Sequence, residues 1–212
     1  AALGQLSASI AHEIRNPLAA IVQANELLAD SDLDQQQRLS QMIAKQALRI
    51  DCIIQDTLNM VRNKETYPTQ LQLNQFIPPF LQEDLSDVAQ QINYNIQDKM
   101  AITFDEAQLR QILINLLRNA IRHNAPAHAK IELNIYAHES NVRIDVRDFG
   151  SGVASQDLAY LFQPFFSTEI TGTGLGLYLS RSFCEANQAE LSYVEQKQGA
   201  CFRIECPHVA LN

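Results

Sequence analysis

His12 and Glu13 stand side by side in the run Ala8-Ser9-Ile10-Ala11-His12-Glu13-Ile14-Arg15-Asn16-Pro17-Leu18, an imidazole next to a carboxylate. For one ring nitrogen to attack a phosphoryl group, the other N–H must be polarised or removed, and an adjacent carboxylate can act as that general base. Asn16, four residues on, falls on the His12 face of a helix one turn away. Its amide offers both donor and acceptor, enough to orient a water near a phosphorylated partner. Taken alone, a helical histidine is more often a surface residue without a role, and Glu13 and Arg15 ordinary helix-surface charge.

Three further clusters sit downstream. Asn115 and Asn119 at i, i+4, with Arg122 beyond, project two amide oxygens and a cation from one helix face. Mg²⁺ takes oxygen ligands, keeps waters and needs few protein groups when a nucleotide supplies the rest, so Asn119 is a candidate metal ligand. An amide pair bridging within the fold is the plain alternative. Asp148-Phe149-Gly150-Ser151-Gly152 ends a predicted strand, where Asp148 could accept from an adenine exocyclic amine while Gly150 and Gly152 let backbone approach the base. By itself that run is a turn signal. Gly172-Thr173-Gly174-Leu175-Gly176-Leu177 runs into an apolar helix, whose first backbone N–H groups could hold phosphate oxygens. The Walker pattern and a dinucleotide-binding βαβ unit are both missing. Between the glycine clusters, Leu161-Phe162-Gln163-Pro164-Phe165-Phe166-Ser167-Thr168 reads as a lid, its phenylalanines anchoring a polar stretch over 167–171.

Long elements must position these groups. Ile10, Ile14, Pro17, Ile21, Ala24 and Leu28 form the seam of a first helix. His12 lies about 200° round from Ile10 and Ile14, so the imidazole faces solvent while the seam faces inward. Pro17 cannot donate to the helix ladder and predicts a kink one turn after the histidine. Ser31-Asp32-Leu33-Asp34 supplies turn and cap residues, and Leu39, Ile43, Ile50, Ile54, Leu58 and Val61 mark a second helix. Two helices with this much apolar stripe cannot cover it by pairing once, which predicts a homodimer with a four-helix core. The helical pattern ends near Tyr67-Pro68-Thr69, dividing the chain into domains 1–66 and 67–212. In the second domain the patterns predict strands near 92–96, 131–137, 142–146, 190–194 and 202–206, and helices over 105–123 and 175–186. The fold class is α+β, with a mixed, largely antiparallel sheet carrying helices on one face. Asp105-Glu106-Ala107-Gln108 reads as a capping box.

The chain has 212 residues, 46% hydrophobic and 19% charged, enough for one or two domains with their own cores. A net charge of −8 without clustered Lys and Arg argues against general nucleic-acid binding. Cys52, Cys184, Cys201 and Cys206 are scattered and form no Cys-x-x-Cys pair, so buried structural thiols in a reducing compartment are expected, with Cys201 and Cys206 on opposite strand faces. No run of about 18 apolar residues occurs. A chain opening on Ala1-Ala2-Leu3 inside a helical pattern is expected to be part of something longer.

Together and in this order, the clusters resemble the catalytic core of two-component sensor histidine kinases, and the likeness covers nearly the whole chain. His12 matches the phosphoacceptor of the family's H box, Asn115 and Asn119 its N box, Asp148 to Gly152 its G1 box, Phe162 to Phe166 its F box, and Gly172 to Gly176 its G2 box. The resemblance implies a helical-hairpin dimerisation and phosphotransfer domain followed by a Bergerat-type α/β sandwich binding ATP and Mg²⁺. His12, Glu13 and Asn16 would be the catalytic residues. Asn115, Asn119, Arg122, Asp148, Gly150, Gly152, Phe162, Thr173, Gly174, Leu175, Gly176 and Leu177 would bind nucleotide. It implies autophosphorylation of His12 and transfer to an aspartate of a response regulator, with phosphatase activity toward that regulator possible through Glu13 and Asn16. A scaffold that binds nucleotide without turnover is the rival. The run around His12 is similar to the nitrogen-regulation type, and Gly176-Leu177-Tyr178-Leu179-Ser180-Arg181 with Cys184-Glu185-Ala186-Asn187-Gln188-Ala189 is similar to type IV pilus sensors. That narrower likeness implies a σ54-activating regulator as partner and a parent anchored in a bacterial inner membrane, of which this is a cytoplasmic portion. Three features depart from the family. Residues 167–171 carry Glu169 and no Lys or Arg, His123 replaces a frequent aromatic, and Gly199-Ala200 only loosely echoes a third glycine box and is assigned no binding role.

Overall fold

Two long apolar stripes open the chain as helices α1 (Ala2–Leu28) and α2 (Leu33–Arg62). In this computed structural model, residues 2–29, 31–62, 65–97, 100–125, 130–169 and 172–209 are described, and their side chains except those of 2–9, 56 and 59–62. Val61 of the predicted seam and Ile170 and Thr171 of the predicted lid lie outside these. The chain forms two compact units, residues 1–64 with 163–176, and residues 65–162 with 177–212.

In the first unit α1 and α2 pair along the predicted α1 seam, with Pro17 and Ala24 buried and Ile10, Ile14, Ile21 and Leu28 half-buried. Helix α1 runs through Pro17 without a break. Asp32 caps α2, its Oδ1 accepting from Gln35 N at 2.9 Å, which satisfies one orphan donor of the first turn. On α2 the seam is rotated by one residue at its far end. Ile53 is fully buried, whereas Ile54 and Leu58 are 41% and 39% exposed. The helical period allows either of two adjacent isoleucines to face the partner, and only packing decides between them. Cys52, beside Ile53, is exposed, so the expectation of four buried thiols fails at this position.

The second unit begins with β1 (Thr69–Gln72), paired antiparallel with β3 (Ala101–Phe104) in a two-stranded sheet. Between them lie α3 (Leu73–Asp84), a 3-10 turn (Ala89–Gln91) and β2 (Ile92–Ile96). The sequence reading missed β1, α3 and β3. Pro78 and Pro79 lie inside α3, where each removes a ladder bond. Leu73, Phe76, Ile77, Phe80 and Leu81 are nevertheless buried there, each worth about 1.5–3 kcal/mol against exposure, and this offsets the lost bonds. Then follow α4 (Glu106–His123), β4 (Ile131–His138), β5 (Asn141–Arg147), α5 (Gly176–Ala186), β6 (Glu190–Val194) and β7 (Cys201–Pro207).

The five-stranded sheet has the order β2-β4-β5-β7-β6, with β2 parallel to β4 and every other pair antiparallel. Side chains alternate across its plane. One face is apolar, with Ile135, Ile144 and Ile204 buried in a cross-strand row, and α4 packs on β4 and β5. The opposite face is a ladder of charge pairs. Arg143 Nε meets Glu205 Oε2 at 2.7 Å and Arg203 NH2 meets Asp145 Oδ2 at 2.7 Å. Tyr136 OH donates to Asp145 at 3.0 Å. Cys201 and Cys206, five apart, fall on opposite faces and are both buried, and burial pushes each thiol up to about 12.

Helix α4 is tied at its start. Asp105 is the N-cap and accepts from Gln108 N at 3.1 Å, but Gln108 does not complete the capping box. The Asp105 N–H instead donates to Asn187 Oδ1 at 2.7 Å, and Asn187 Nδ2 donates to Gln108 Oε1 at 2.6 Å. On its flank, Arg110 pairs with Glu83, Asp84 and Glu106 and stacks over Phe76 and Phe80, fastening α4 to α3.

Candidate functional site

The α1 seam decides where the phosphoacceptor candidate points. With Pro17 buried, His12 and Asn16 are exposed on the outer face, and among the described residues neither side chain makes a hydrogen bond. Glu13 is half-buried and forms an ion pair with Arg49 of α2, Oε2 to NH2 at 3.5 Å. His12 is therefore presented while its neighbouring carboxylate is held from across the hairpin.

Helix α4 buries Leu109, Ile112, Leu113, Leu116, Leu117 and Ala120, leaving Asn115 and Asn119 half-buried and Arg122 exposed on another face. Asn115 Nδ2 donates to Ser180 Oγ of α5 at 3.0 Å, and Asn119 Nδ2 donates to Asn115 Oδ1 at 3.4 Å. The two amides are thus already ordered before any ligand arrives, and Ser180, which sequence reasoning missed, anchors them. No local pattern could have joined residues 65 positions apart.

Asp148 follows the end of β5 and is 3% exposed. Its Oδ1 accepts from Gly150 N at 2.9 Å and from Ala200 N at 3.0 Å, and among the described residues none donates to Oδ2. The second oxygen, which is not a buried orphan, is open to a further donor, and an exocyclic amine fits. The loop is stitched to the end of α4, where Phe149 N donates to Asn124 Oδ1 at 2.9 Å. A Cβ at Gly150 would lie 1.9 Å from the His123 carbonyl oxygen, so only glycine permits this approach. Asn124 and Gly199-Ala200 are the parts of this arrangement that sequence reasoning left out. The latter pair supports Asp148 directly.

Phe162 is half-buried and packs edge-on against Phe202 at 6.4 Å, with the Arg181 guanidinium 5.2 Å above its ring. In the first unit, Phe165 and Gly174 both adopt left-handed backbone, φ 66° and 69°, and touch back to back. A Cβ at Gly174 would fall 2.4 Å from the Phe165 carbonyl carbon. Leu175 is fully buried, its N–H directed to Thr173 Oγ1 at 3.3 Å, and α5 starts at Gly176 with its first N–H groups unbonded within the helix. The structure joins Asn115 and Asn119 through Ser180 and ties the loop of Asp148, Gly150 and Gly152 to the end of α4, with Arg122, Phe162 and Leu177 in the same unit. Thr173, Gly174, Leu175 and Gly176 fall in the first unit with His12, Glu13 and Asn16.

The donor set also bears on a metal. Among the described residues no group of three or more His, Cys, Asp or Glu could hold an ion, so a cation here would depend on phosphate oxygens with an amide oxygen added. That suits Mg²⁺ carried by a nucleotide.

Residues 104–210, which contain this region, match the model of the histidine kinase-, DNA gyrase B- and HSP90-like ATPases. The chain belongs to that ATPase family. Residues 2–66 match the His Kinase A phosphoacceptor domain, so the two together mark a histidine kinase. The chain is 40% identical to the sensor protein kinase PilS of Pseudomonas aeruginosa over 218 residues, covering 98% of this chain and 41% of PilS. It is 31% identical to the sensor histidine kinase ZraS of Escherichia coli K12 over 213 residues, covering 97% of this chain and 46% of ZraS. The chain therefore spans less than half the length of these curated relatives. Its fold matches that of histidine kinase ThkA, solved in complex with the response regulator TrrA, with a TM-score of 0.76, 23% identity, and coverage of 98% of this chain and 62% of that one. Full-length ShkA, solved with AMPPNP, matches with a TM-score of 0.66 at 24% identity, over 98% of this chain and 46% of that one. These likenesses show the fold of a histidine kinase core, two helices followed by a mixed five-stranded sheet. Among the described residues no helix is long and apolar enough to cross a membrane.

Proposed function

We propose that this chain autophosphorylates His12 from ATP and passes the phosphoryl group to an aspartate on a response-regulator receiver domain. The observation that carries the reading is an exposed imidazole flanked by a held carboxylate, in a chain whose other unit braces the buried Asp148 and carries an ordered asparagine pair. His12 is the nucleophile and Glu13 the base for its second N–H, the Glu13 carboxylate being held by Arg49 of α2. Asp148 accepts from the adenine amine, with Gly150 and Gly152 allowing backbone approach. Arg122 and the backbone N–H groups of residues 173–177 bind phosphates, and Phe162 anchors the loop that follows it. Asn119 supplies the protein oxygen for Mg²⁺, with Asn115 behind it. Bound Mg²⁺ would neutralise charge on the phosphates, the main requirement of phosphoryl transfer.

The exposed face left by Ile54, Leu58, Leu18 and Val22 supports a homodimer through the hairpin, which light scattering checks. The identity to PilS supports a σ54-activating regulator as partner and a parent sensor anchored in the inner membrane, with this portion in the cytoplasm. A regulator phosphatase activity is a second reading, favoured by Asn16, which stands free one turn from His12. Asn16→Ala then slows loss of regulator phosphate while His12 labelling continues.

Incubation with γ-labelled ATP and Mg²⁺ tests the main reading. The expected result is a base-stable, acid-labile label absent from His12→Ala. Label persisting on that variant overturns the assignment, and nucleotide binding without any label points to a non-catalytic scaffold.

A further inference from the structure

We infer that Ser180 is a positioning residue for the cation ligand Asn119, acting through Asn115. The inference rests on the Mg²⁺–nucleotide reading above and adds to it a residue to which the sequence reading assigned no role in binding. Ser180 is 2% exposed on the buried side of α5. Its Oγ receives Asn115 Nδ2 at 3.0 Å, and Asn115 Oδ1 receives Asn119 Nδ2 at 3.4 Å.

This file of three residues has two self-consistent polarities. A primary amide offers an oxygen on one side and hydrogens on the other. While Ser180 accepts, Asn115 turns its oxygen toward Asn119, Asn119 commits its nitrogen to that oxygen, and its own Oδ1 is left over. Among the described residues nothing donates to that Oδ1. This is the polarity a divalent cation requires, because Mg²⁺ binds oxygen and is repelled by an amide N–H. If Ser180 instead donates its O–H to Asn115, both amides rotate together and Asn119 turns its N–H groups outward. That state suits a bare phosphate oxygen and excludes a cation. Only a side chain that both donates and accepts supports the two states, and a hydroxyl does so by rotating its hydrogen. Ser180 therefore lets one asparagine serve the metal-bearing nucleotide with an oxygen and the metal-free nucleotide with an amide. With no hydroxyl at 180, the half-buried Asn115 amide loses its fixed end, and the oxygen-outward orientation of Asn119 is no longer supported from behind.

Calorimetric titration of the full chain with a non-hydrolysable ATP analogue, in Mg²⁺ and in EDTA, tests this on the wild type and on Ser180→Ala, Ser180→Val and Ser180→Thr. Removing a hydrogen-bond partner behind a metal ligand weakens metal affinity by about tenfold or more, so alanine and valine should cut the Mg²⁺ enhancement of nucleotide affinity by about that factor. Affinity in EDTA, where an amide N–H needs only to meet a phosphate oxygen, should fall by a smaller factor. Threonine, which shares valine's shape but keeps the hydroxyl, should restore the enhancement. An undiminished enhancement in alanine and valine overturns the inference, as does a threonine variant as impaired as valine, which would reduce the effect to packing. A wild type whose affinity ignores Mg²⁺ overturns the underlying metal reading instead.

Discussion

A Cβ on Gly199 would stand 1.9 Å from the carbonyl oxygen of Asp148, and Gly199 itself holds a left-handed φ of 78°. The turn between β6 and β7 is thereby pressed onto the strand end that carries the candidate adenine acceptor. The next residue completes the contact, with Ala200 N donating to Asp148 Oδ1 at 3.0 Å and Asp148 N donating to the Ala200 carbonyl at 2.9 Å. Gly199→Ala meets both a left-handed backbone, itself a penalty of about 1–2 kcal/mol for an L-residue, and a wall of backbone that cannot swing aside. The variant should melt several degrees lower. It should also bind nucleotide more weakly than a control alanine at an exposed position of the same turn, such as Lys197→Ala. Calorimetry on the two variants checks it.

The two oxygens of Asp148 have separate employments, which makes Asp148→Asn informative. Oδ1 holds Gly150 N and Ala200 N, and an asparagine oxygen can keep both. The nitrogen replacing Oδ2 can no longer accept from an exocyclic amine. A hydrogen bond to a charged group is worth about 1.5–3 kcal/mol, so ATP affinity should fall about 10- to 100-fold with a far-ultraviolet spectrum unchanged. An Asp148→Asn protein that binds ATP as the wild type does would show that Oδ2 does not read the base.

What the chain's own letters disclose divides along physical lines. Helices α1, α2, α4 and α5 and five strands carry unbroken periodic patterns, and the structure places them close to the predicted bounds. Helix α3 escaped because Pro78-Pro79 looks like a stop signal, whereas its buried phenylalanines hold it helical. Strands β1 and β3, four residues each, are too short to show alternation. The choice of Ile53 over Ile54 is a question of packing that period alone leaves open. In the candidate site the motif residues were legible as types and spacings. Their supports, Ser180, Asn124 and Gly199, were not, because each acts through a hydrogen bond or close approach to a partner distant in sequence.

The polar sheet face gives the fold a defined pH response. Asn141 Nδ2 and Arg143 Nε each donate to Glu205 at 2.7 Å, and these bonds hold its carboxyl below the ordinary value of 4.5. A carboxyl depressed in the folded state stabilises that state above its unfolded value and loses the contribution as pH falls through the folded one. Wild type should therefore out-melt Glu205→Gln at neutral pH, and the gap should narrow progressively as the pH is lowered beyond 4.5. A gap that stays constant from pH 7 to pH 3 would assign the difference to shape rather than charge.

Asn187, at the end of α5, joins three elements through one buried amide. It accepts from Asp105 N at 2.7 Å and donates to Gln108 Oε1 at 2.6 Å and to the Phe183 carbonyl at 2.8 Å. The same Asp105 and Gln108 hold the segment that leads into this unit, Tyr67 N reaching Asp105 Oδ2 at 2.9 Å and Gln108 Nε2 reaching Thr66 Oγ1 at 3.3 Å. Asn187→Ala leaves a backbone N–H and an amide oxygen buried without those partners, each a loss of about 1–3 kcal/mol. The variant should thus lose several kcal/mol of stability in urea melts. Asn187→Asp separates the two halves of the network, since a carboxylate still accepts from Asp105 N but cannot donate to Gln108 and adds a charge close to Asp105. It should be at least as damaging as alanine at pH 7 and recover part of the loss in acid, where a protonated carboxyl regains one donor. If both variants melt with the wild type, the amide is a passenger, and the joint between α4, α5 and the entering segment is held by packing alone.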